Sequence, residues 1–157
     1  MKISVLTTLY YSSAYIQEFY TRSLAAVKAT DLEYEFVFVN DGSPDDVLDK
    51  VLNLQKSDPY IRIVDLSRNF GHAKAIMTGL QYCTGDYVYL VDCDLEEEPE
   101  LLITFWEKLQ AEPSYDVIHG VQVKRKNFPQ EKSKNNKTAN QTYFKPITNS
   151  CPNSKKV

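Results

Sequence analysis

At 157 residues, with 43% hydrophobic and 12% aromatic side chains, the chain is long enough for one domain around a single core. A net charge of −3 argues against a nucleic-acid partner, which is gripped through a surplus of Lys and Arg. No run approaches the roughly 18 consecutive apolar residues of a membrane span, Met1-Lys2-Ile3-Ser4 opens a strand and not a secretory leader, and three cysteines without metal spacing fit a reducing compartment, so the expected location is cytoplasmic.

From Lys2 to Val121 short β-rich runs alternate with longer helical stretches, the pattern of an α/β fold with a mostly parallel sheet flanked by helices. The first strand is expected over Ile3 to Leu9. A helix near Ala14 to Ala29 follows, with Ile16, Phe19, Tyr20, Ser23, Leu24 and Val27 forming a mostly apolar face at helical spacing. After a second strand, Tyr34 to Asn40, a helix over Pro44 to Gln55 has a marked start: Ser43 as cap, Pro44 in the first position, Asp45 and Asp46 in the first turn, where the helix dipole favours negative charge. Strand Ile61 to Leu66, helix His72 to Tyr82, strand Tyr87 to Val91, helix Pro99 to Gln110 and strand Asp116 to Val121 complete the series. Residues 1–126 read as one domain. Residues 127–157, rich in Lys and Asn with neither period sustained, read as a tail with little fixed structure, and the sequons Asn136-Lys137-Thr138 and Asn140-Gln141-Thr142 as chance within it.

Ligands of open α/β sheets bind beyond the carboxyl ends of the strands, so the residues placed there carry the functional weight. Strand two runs into Asn40-Asp41-Gly42-Ser43, strand three into Ser67-Arg68-Asn69-Phe70-Gly71-His72, and strand four into Asp92-Cys93-Asp94. Alone, each is a common turn or surface feature; at three successive strand ends they point to a ligand. Two unit charges about 4 Å apart repel by roughly 4 kcal/mol at an effective dielectric near 20, so Asp92 and Asp94 at a strand tip favour a cation. Oxygen ligands suit Mg²⁺ or Mn²⁺, which accept phosphate oxygens in their open positions. Asp41 is suited to accept from the ring N–H of a nucleobase beside the tight turn at Gly42, Arg68 offers a planar fork to phosphate, and Lys74 offers a point charge near a helix start. His72 reads as a helix-start or packing residue, and Cys93, alternating away from the two aspartates, as a buried filler.

These motifs, in order and spacing, resemble the nucleotide-binding half of the family 2 inverting glycosyltransferases with the GT-A fold, and within them the polyisoprenyl-phosphate glycosyltransferases. The resemblance runs over about residues 2 to 126. Asn40-Asp41-Gly42-Ser43 matches the nucleotide-binding turn, Arg68 to Ala75 with Gly79 the Arg-Asn-x-Gly helix start, Asp92 to Glu100 the metal motif and its acidic-proline turn, and Asp116 to Val121 through Lys124-Arg125-Lys126 the strand and basic segment that follow.

The resemblance implies a three-layer, Rossmann-like GT-A sandwich and transfer of a hexose from a UDP- or GDP-sugar to a polyprenyl phosphate or a related cell-envelope glycan. Thr8, Tyr10, Asp41, Gly42, Arg68, Asn69, Lys74 and Asp92 would hold the nucleotide, with Asp41 reading the base, and Asp92 and Asp94 would hold Mg²⁺ or Mn²⁺, Asp94 as the direct ligand. No residue is assigned as catalytic base, since a polyprenyl phosphate is already an anionic nucleophile. Two departures stand out. Where the family carries Pro-x-Tyr-Asn-Glu this chain reads Thr8-Leu9-Tyr10-Tyr11-Ser12, keeping the aromatic and losing the acid, and the acceptor-side half and membrane helices of the polyprenyl branch are not matched after Lys126. A full-length relative is expected at the cytoplasmic face of the membrane. The alternatives are a transferase acting on a cell-surface polysaccharide and a nucleotide-sugar-binding module without turnover.

Overall fold

The computed structural model describes residues 1–112, 114–120 and 143–146. Strands β1 (Lys2–Leu9), β2 (Glu33–Asn40), β3 (Ile61–Asp65) and β4 (Tyr87–Leu90) alternate with helices α1 (Ile16–Lys28), α2 (Val47–Ser57), α3 (His72–Tyr82) and α4 (Leu101–Ala111), followed by the short strands β5 (Ile118–His119) and β6 (Tyr143–Pro146). The described sheet has the order β3-β2-β1-β4-β6-β5. β1 to β4 run parallel, whereas β6 is antiparallel to both β4 and β5. The fold is the α/β sandwich expected from the alternating pattern.

Because successive side chains of a strand point to opposite faces, the buried strands feed two cores at once. Ile3, Val5, Leu9, Phe36, Phe38 and Tyr89 pack with residues of α1, α2 and α4, including Phe19, Val51, Leu102 and Trp106. Leu6, Val37, Val39, Val64 and Val88 face the other way and pack with Ala75 of α3. The register aligns Leu9 with Asn40 and Asn40 with Asp65, while Leu6 pairs with Leu90. The loops leaving these four strands therefore emerge along one edge.

The opposite edge is closed by a polar lock. Glu35, only 4% exposed, accepts hydrogen bonds from Ser4 Oγ at 2.6 Å, from the Thr84 backbone N–H at 2.5 Å and from Lys2 Nζ at 3.0 Å. Burial pushes its carboxyl up, but these donors outweigh burial and hold it below the usual carboxylate value. Elsewhere Arg22 ties α1 to the start of α4 through a two-pronged contact with Glu100, at 2.8 and 2.7 Å.

Three local expectations change. α2 starts at Val47 and not at Pro44, and Ser43 does not cap it. Ser43 Oγ instead accepts the Tyr11 backbone N–H at 2.8 Å, while Asp45 accepts the N–H groups of Ser13 and Val47, at 2.9 and 3.3 Å. The acidic segment is thus pulled toward the loop after β1. The last strand of the parallel series is only Ile118–His119, with Val121 and the basic residues 124–126 outside the described residues. Within the stretch read as an irregular tail, Tyr143–Pro146 forms a strand beside β4. No helix among the described residues is long and apolar enough to cross a membrane.

Candidate functional site

At the tip of β1, the chain turns through Tyr10, Tyr11 and Ser12. Tyr11 takes a positive φ of 52°, an unusual conformation for a bulky residue, and the bond from its N–H to Ser43 holds it there. The Tyr10 and Tyr11 rings meet edge to face at 4.8 Å and both are exposed. The Leu9 carbonyl accepts the Asp41 N–H at 3.0 Å, tying this tip to the next.

At the tip of β2, Asn40 donates to Asp65 at 2.7 Å and accepts the Ser43 N–H at 3.1 Å. Asp41 is 2% exposed, and its two carboxylate oxygens accept the backbone N–H groups of Phe70 and Gly71 at 2.7 and 3.0 Å. Gly42 has φ +61°, and a Cβ there would lie 2.3 Å from the carbonyl carbon of Arg68 and 2.5 Å from the Asn69 nitrogen. Asp41 and Gly42 therefore clamp the 68–71 segment by a charge-assisted pair and by backbone contact with no room for a side chain.

The clamped segment presents Arg68 and Asn69 to solvent, with the Arg68 guanidinium stacked 4.6 Å above the Phe70 ring. α3 begins immediately afterwards, with the Gly71 carbonyl accepting the N–H groups of Lys74 and Ala75. Lys74 is exposed in the first turn, where unpaired helix N–H groups favour anions. None of the ion pairs among the described residues occupies Arg68 or Lys74.

At the tip of β4, Asp92 is partly buried and Asp94 is exposed, while Cys93 between them is 3% exposed and packs in the larger core. Burial pushes the Asp92 carboxyl up, the charges of Asp94 and Glu96 push the same way, and His72 opposes them. His72 Nε2 stands 3.7 Å from Asp92 Oδ1, and His72 Nδ1 is 3.0 Å from Thr8 Oγ1. Asp94 accepts the Glu96 N–H at 2.9 Å across a turn whose middle residue, Leu95, has φ +63°.

The residues named from sequence thus sit on one edge of the sheet, with one difference in kind. The position of Asp41 was legible, but its carboxylate faces inward onto two backbone amides. Sequence reasoning also missed the contact of His72 with Thr8 and Asp92. The strand order supplied its only signal, since a helix that begins over the β1 and β4 tips brings its first residue between them. Among the described residues no three His, Cys, Asp or Glu side chains form a ready metal cage. Two carboxylates, one of them exposed, are nevertheless chemically suited to a Mg²⁺-type ion, which usually takes one or two carboxylates and completes its shell with water and phosphate oxygens.

Comparison with known proteins identifies the family and the fold. The Glycosyl transferase family 2 model matches residues 4–156. A protein of Mycobacterium tuberculosis described as "Putative glycosyltransferases" is 49% identical over 125 residues, covering 80% of this chain and 36% of the relative. The undecaprenyl-phosphate 4-deoxy-4-formamido-L-arabinose transferase of Sodalis glossinidius is 36% identical over 126 residues, covering 79% of this chain and 38% of its own. Among solved structures, S. aureus TarS 1–349 in complex with UDP-GlcNAc superposes with a TM-score of 0.63 at 27% identity, over 83% of this chain and 37% of that one. The mannosyltransferase PcManGT of Pyrobaculum calidifontis, in complex with GDP-Man and Mn²⁺, shares the fold with a TM-score of 0.60 at 24% identity, over 73% of this chain and 34% of that one. The chain therefore spans little more than a third of the relatives it matches. With the parallel sheet and the three-layer sandwich, these matches show the GT-A fold, and the chain belongs to glycosyl transferase family 2.

Proposed function

We propose that this chain binds the nucleotide-sugar donor of a metal-dependent hexosyltransferase whose acceptor is a polyprenyl phosphate. The observation that carries the reading is the placement of the Asp92 and Asp94 carboxylates and the exposed cations Arg68 and Lys74 along the same edge of the sheet, beyond the carboxyl ends of its parallel strands and at the start of α3. That arrangement is complementary to a nucleoside diphosphate with its divalent ion. UDP-GlcNAc in the TarS complex supports a UDP donor, and the undecaprenyl-phosphate transferase relative supports the acceptor class.

Asp94, exposed and held by its turn, would be the direct ligand of Mg²⁺ or Mn²⁺, with Asp92 beside it on the ion or the ribose. An ion held there would supply Lewis-acid neutralisation of the charge on the departing diphosphate. The Arg68 fork and the Lys74 ammonium add fixed positive charge where negative charge develops, in a preorganised site that needs no rearrangement at the moment of transfer. Thr8, Tyr10 and Asn69 line the nucleotide. Asp41 and Gly42 serve the nucleotide through the clamp on residues 68–71, and any reading of the base by Asp41 has to share a carboxylate already occupied by two amides. On this reading the reaction belongs at the cytoplasmic face of a membrane, with no nucleic-acid partner; the undecaprenyl-phosphate transferase relative supports the membrane side of it.

The reading is tested by calorimetric titration of UDP, GDP, UDP-glucose and GDP-mannose, each with and without Mn²⁺, into the wild-type chain and Asp94→Ala. Metal-dependent binding of one nucleotide by the wild type, lost in a folded Asp94→Ala, is the expected result. Equal Mn²⁺-dependent affinity in the two proteins contradicts the assignment. Binding without transfer to polyprenyl phosphate would favour a binding module over an enzyme.

A further inference from the structure

We infer that His72 is a positioning residue of the acidic site, held by Thr8 on one ring nitrogen and setting the orientation of the Asp92 carboxylate with the other; this rests on the reading of Asp92 and Asp94 as the metal-bearing pair. His72 is the first residue of α3, and its side chain reaches across the tips of two adjacent parallel strands, β1 and β4. The ring lies 3.0 Å from Thr8 through Nδ1 and 3.7 Å from Asp92 Oδ1 through Nε2.

A neutral imidazole has one N–H and one acceptor nitrogen, and the hydrogen bond at one nitrogen decides what the other offers. The positioning role requires the tautomer in which the Thr8 hydroxyl donates to Nδ1 and the ring proton sits on Nε2, facing Asp92. The distance to Oδ1 is about 0.7 Å longer than a formed hydrogen bond, as polar contacts of ligand-free sites often are before they tighten in the complex. Oδ1 is then engaged by the protein, and the second oxygen of Asp92 is left for the ion. Ligating carboxylates are generally oriented by such outer partners, whose loss weakens metal binding by about 10–100-fold.

The test is calorimetry of UDP and GDP with the full chain, with and without Mn²⁺, on the wild type, Asp94→Ala, His72→Ala, His72→Asn and His72→Gln. The readout is the factor by which Mn²⁺ improves nucleotide affinity. Gln places an amide N–H near the position of Nε2, whereas Asn reaches only the position of Nδ1, so Gln should keep the factor within about threefold while Ala and Asn lower it by about 10–100-fold. Metal-free affinity should stay within about twofold in all three, because the role passes through Asp92. The His72 side chain is 58% exposed, so its replacement leaves the fold in place, and a melting curve of each variant verifies this. Loss of the factor in Asp94→Ala together with wild-type behaviour of His72→Ala and His72→Asn overturns the inference while leaving the site reading intact. A metal-free loss in the His72 variants overturns it too, making His72 a direct phosphate contact. Retention of the factor in Asp94→Ala overturns the site reading itself.

Discussion

Replacing Gly42 by Ala tests the clamp that builds the site, with Gly71→Ala as the matched comparison. Both glycines have positive φ, +61° and +95°, so both substitutions bring backbone strain, about 1–2 kcal/mol at Gly42 and, because ψ of 147° takes Gly71 toward a region essentially reserved for glycine, up to about 3 kcal/mol there. Their surroundings differ. A Cβ on Gly71 has nothing within 4 Å, whereas one on Gly42 would sit 2.3, 2.5 and 2.7 Å from backbone atoms of Arg68 and Asn69. Backbone cannot rotate aside like the end of a side chain, so the 68–71 segment must retreat by about 1 Å to restore ordinary contact. That retreat lengthens the bonds from Phe70 and Gly71 to the buried Asp41, and a hydrogen bond to a charged group is worth about 1.5–3 kcal/mol. Gly42→Ala should therefore lose roughly 3–5 kcal/mol and Gly71→Ala no more than about 3 kcal/mol. Urea unfolding followed by circular dichroism reads both, and nucleotide titration should show the larger affinity loss in Gly42→Ala, since Arg68 moves with the segment. A Gly42→Ala protein within about 0.5 kcal/mol of wild type, or less affected than Gly71→Ala, would refute the clamp.

The lock at the far edge predicts an acid-limb effect. The Glu35 carboxyl is held below its ordinary value of 4.5, so its contribution is complete above that pH and is lost as the pH falls through the lower folded value. Glu35→Gln should cost about 2–4 kcal/mol at pH 7 and flatten the fall of the melting temperature with acid in that window; a parallel acid limb in the variant would contradict the network. The thiols give a third check. Burial drives the Cys83 thiol up to about 12, and burial followed by the charges of Asp94 and Asp92 drives Cys93 higher still. Both should resist a thiol reagent at pH 8 in the native protein and react in urea, and peptide mapping of the labelled sites would expose rapid native modification of either.

Much of the fold was legible because its signals are local. The nearly continuous burial of β1 and β2 follows from their largely apolar, β-rich runs and the apolar face of α1 from its helical spacing, while α3 begins and ends where the Gly71 turn and the following strand dictate. The errors arise where distant segments compete for a local group. Ser43 and Asp45 have the chemistry of a helix start, yet Tyr11 and Ser13, 32 residues earlier in each case, take their oxygens, and α2 begins later. Asp41 looked like a ligand-facing acid because nothing in its neighbourhood announces that Phe70 and Gly71 will turn their amides onto it. The role of His72 was hidden similarly, since Thr8 lies 64 residues away and meets it only once β1 and α3 have packed. β6 is four residues ending in Pro146, too short for a period to register, and the strand follows from its partner β4.

The central claim is that Asp92 and Asp94 take a divalent ion together with a nucleoside diphosphate. Electron paramagnetic resonance of Mn²⁺ tests it most directly, because the sharp six-line signal of the hydrated ion collapses when the ion is held by protein. In the presence of UDP or GDP, addition of the wild-type chain should remove the free-ion signal remaining with nucleotide alone, and addition of folded Asp94→Ala should not. An equal loss of signal in both proteins, or no loss in the wild type with either nucleotide, would contradict the account.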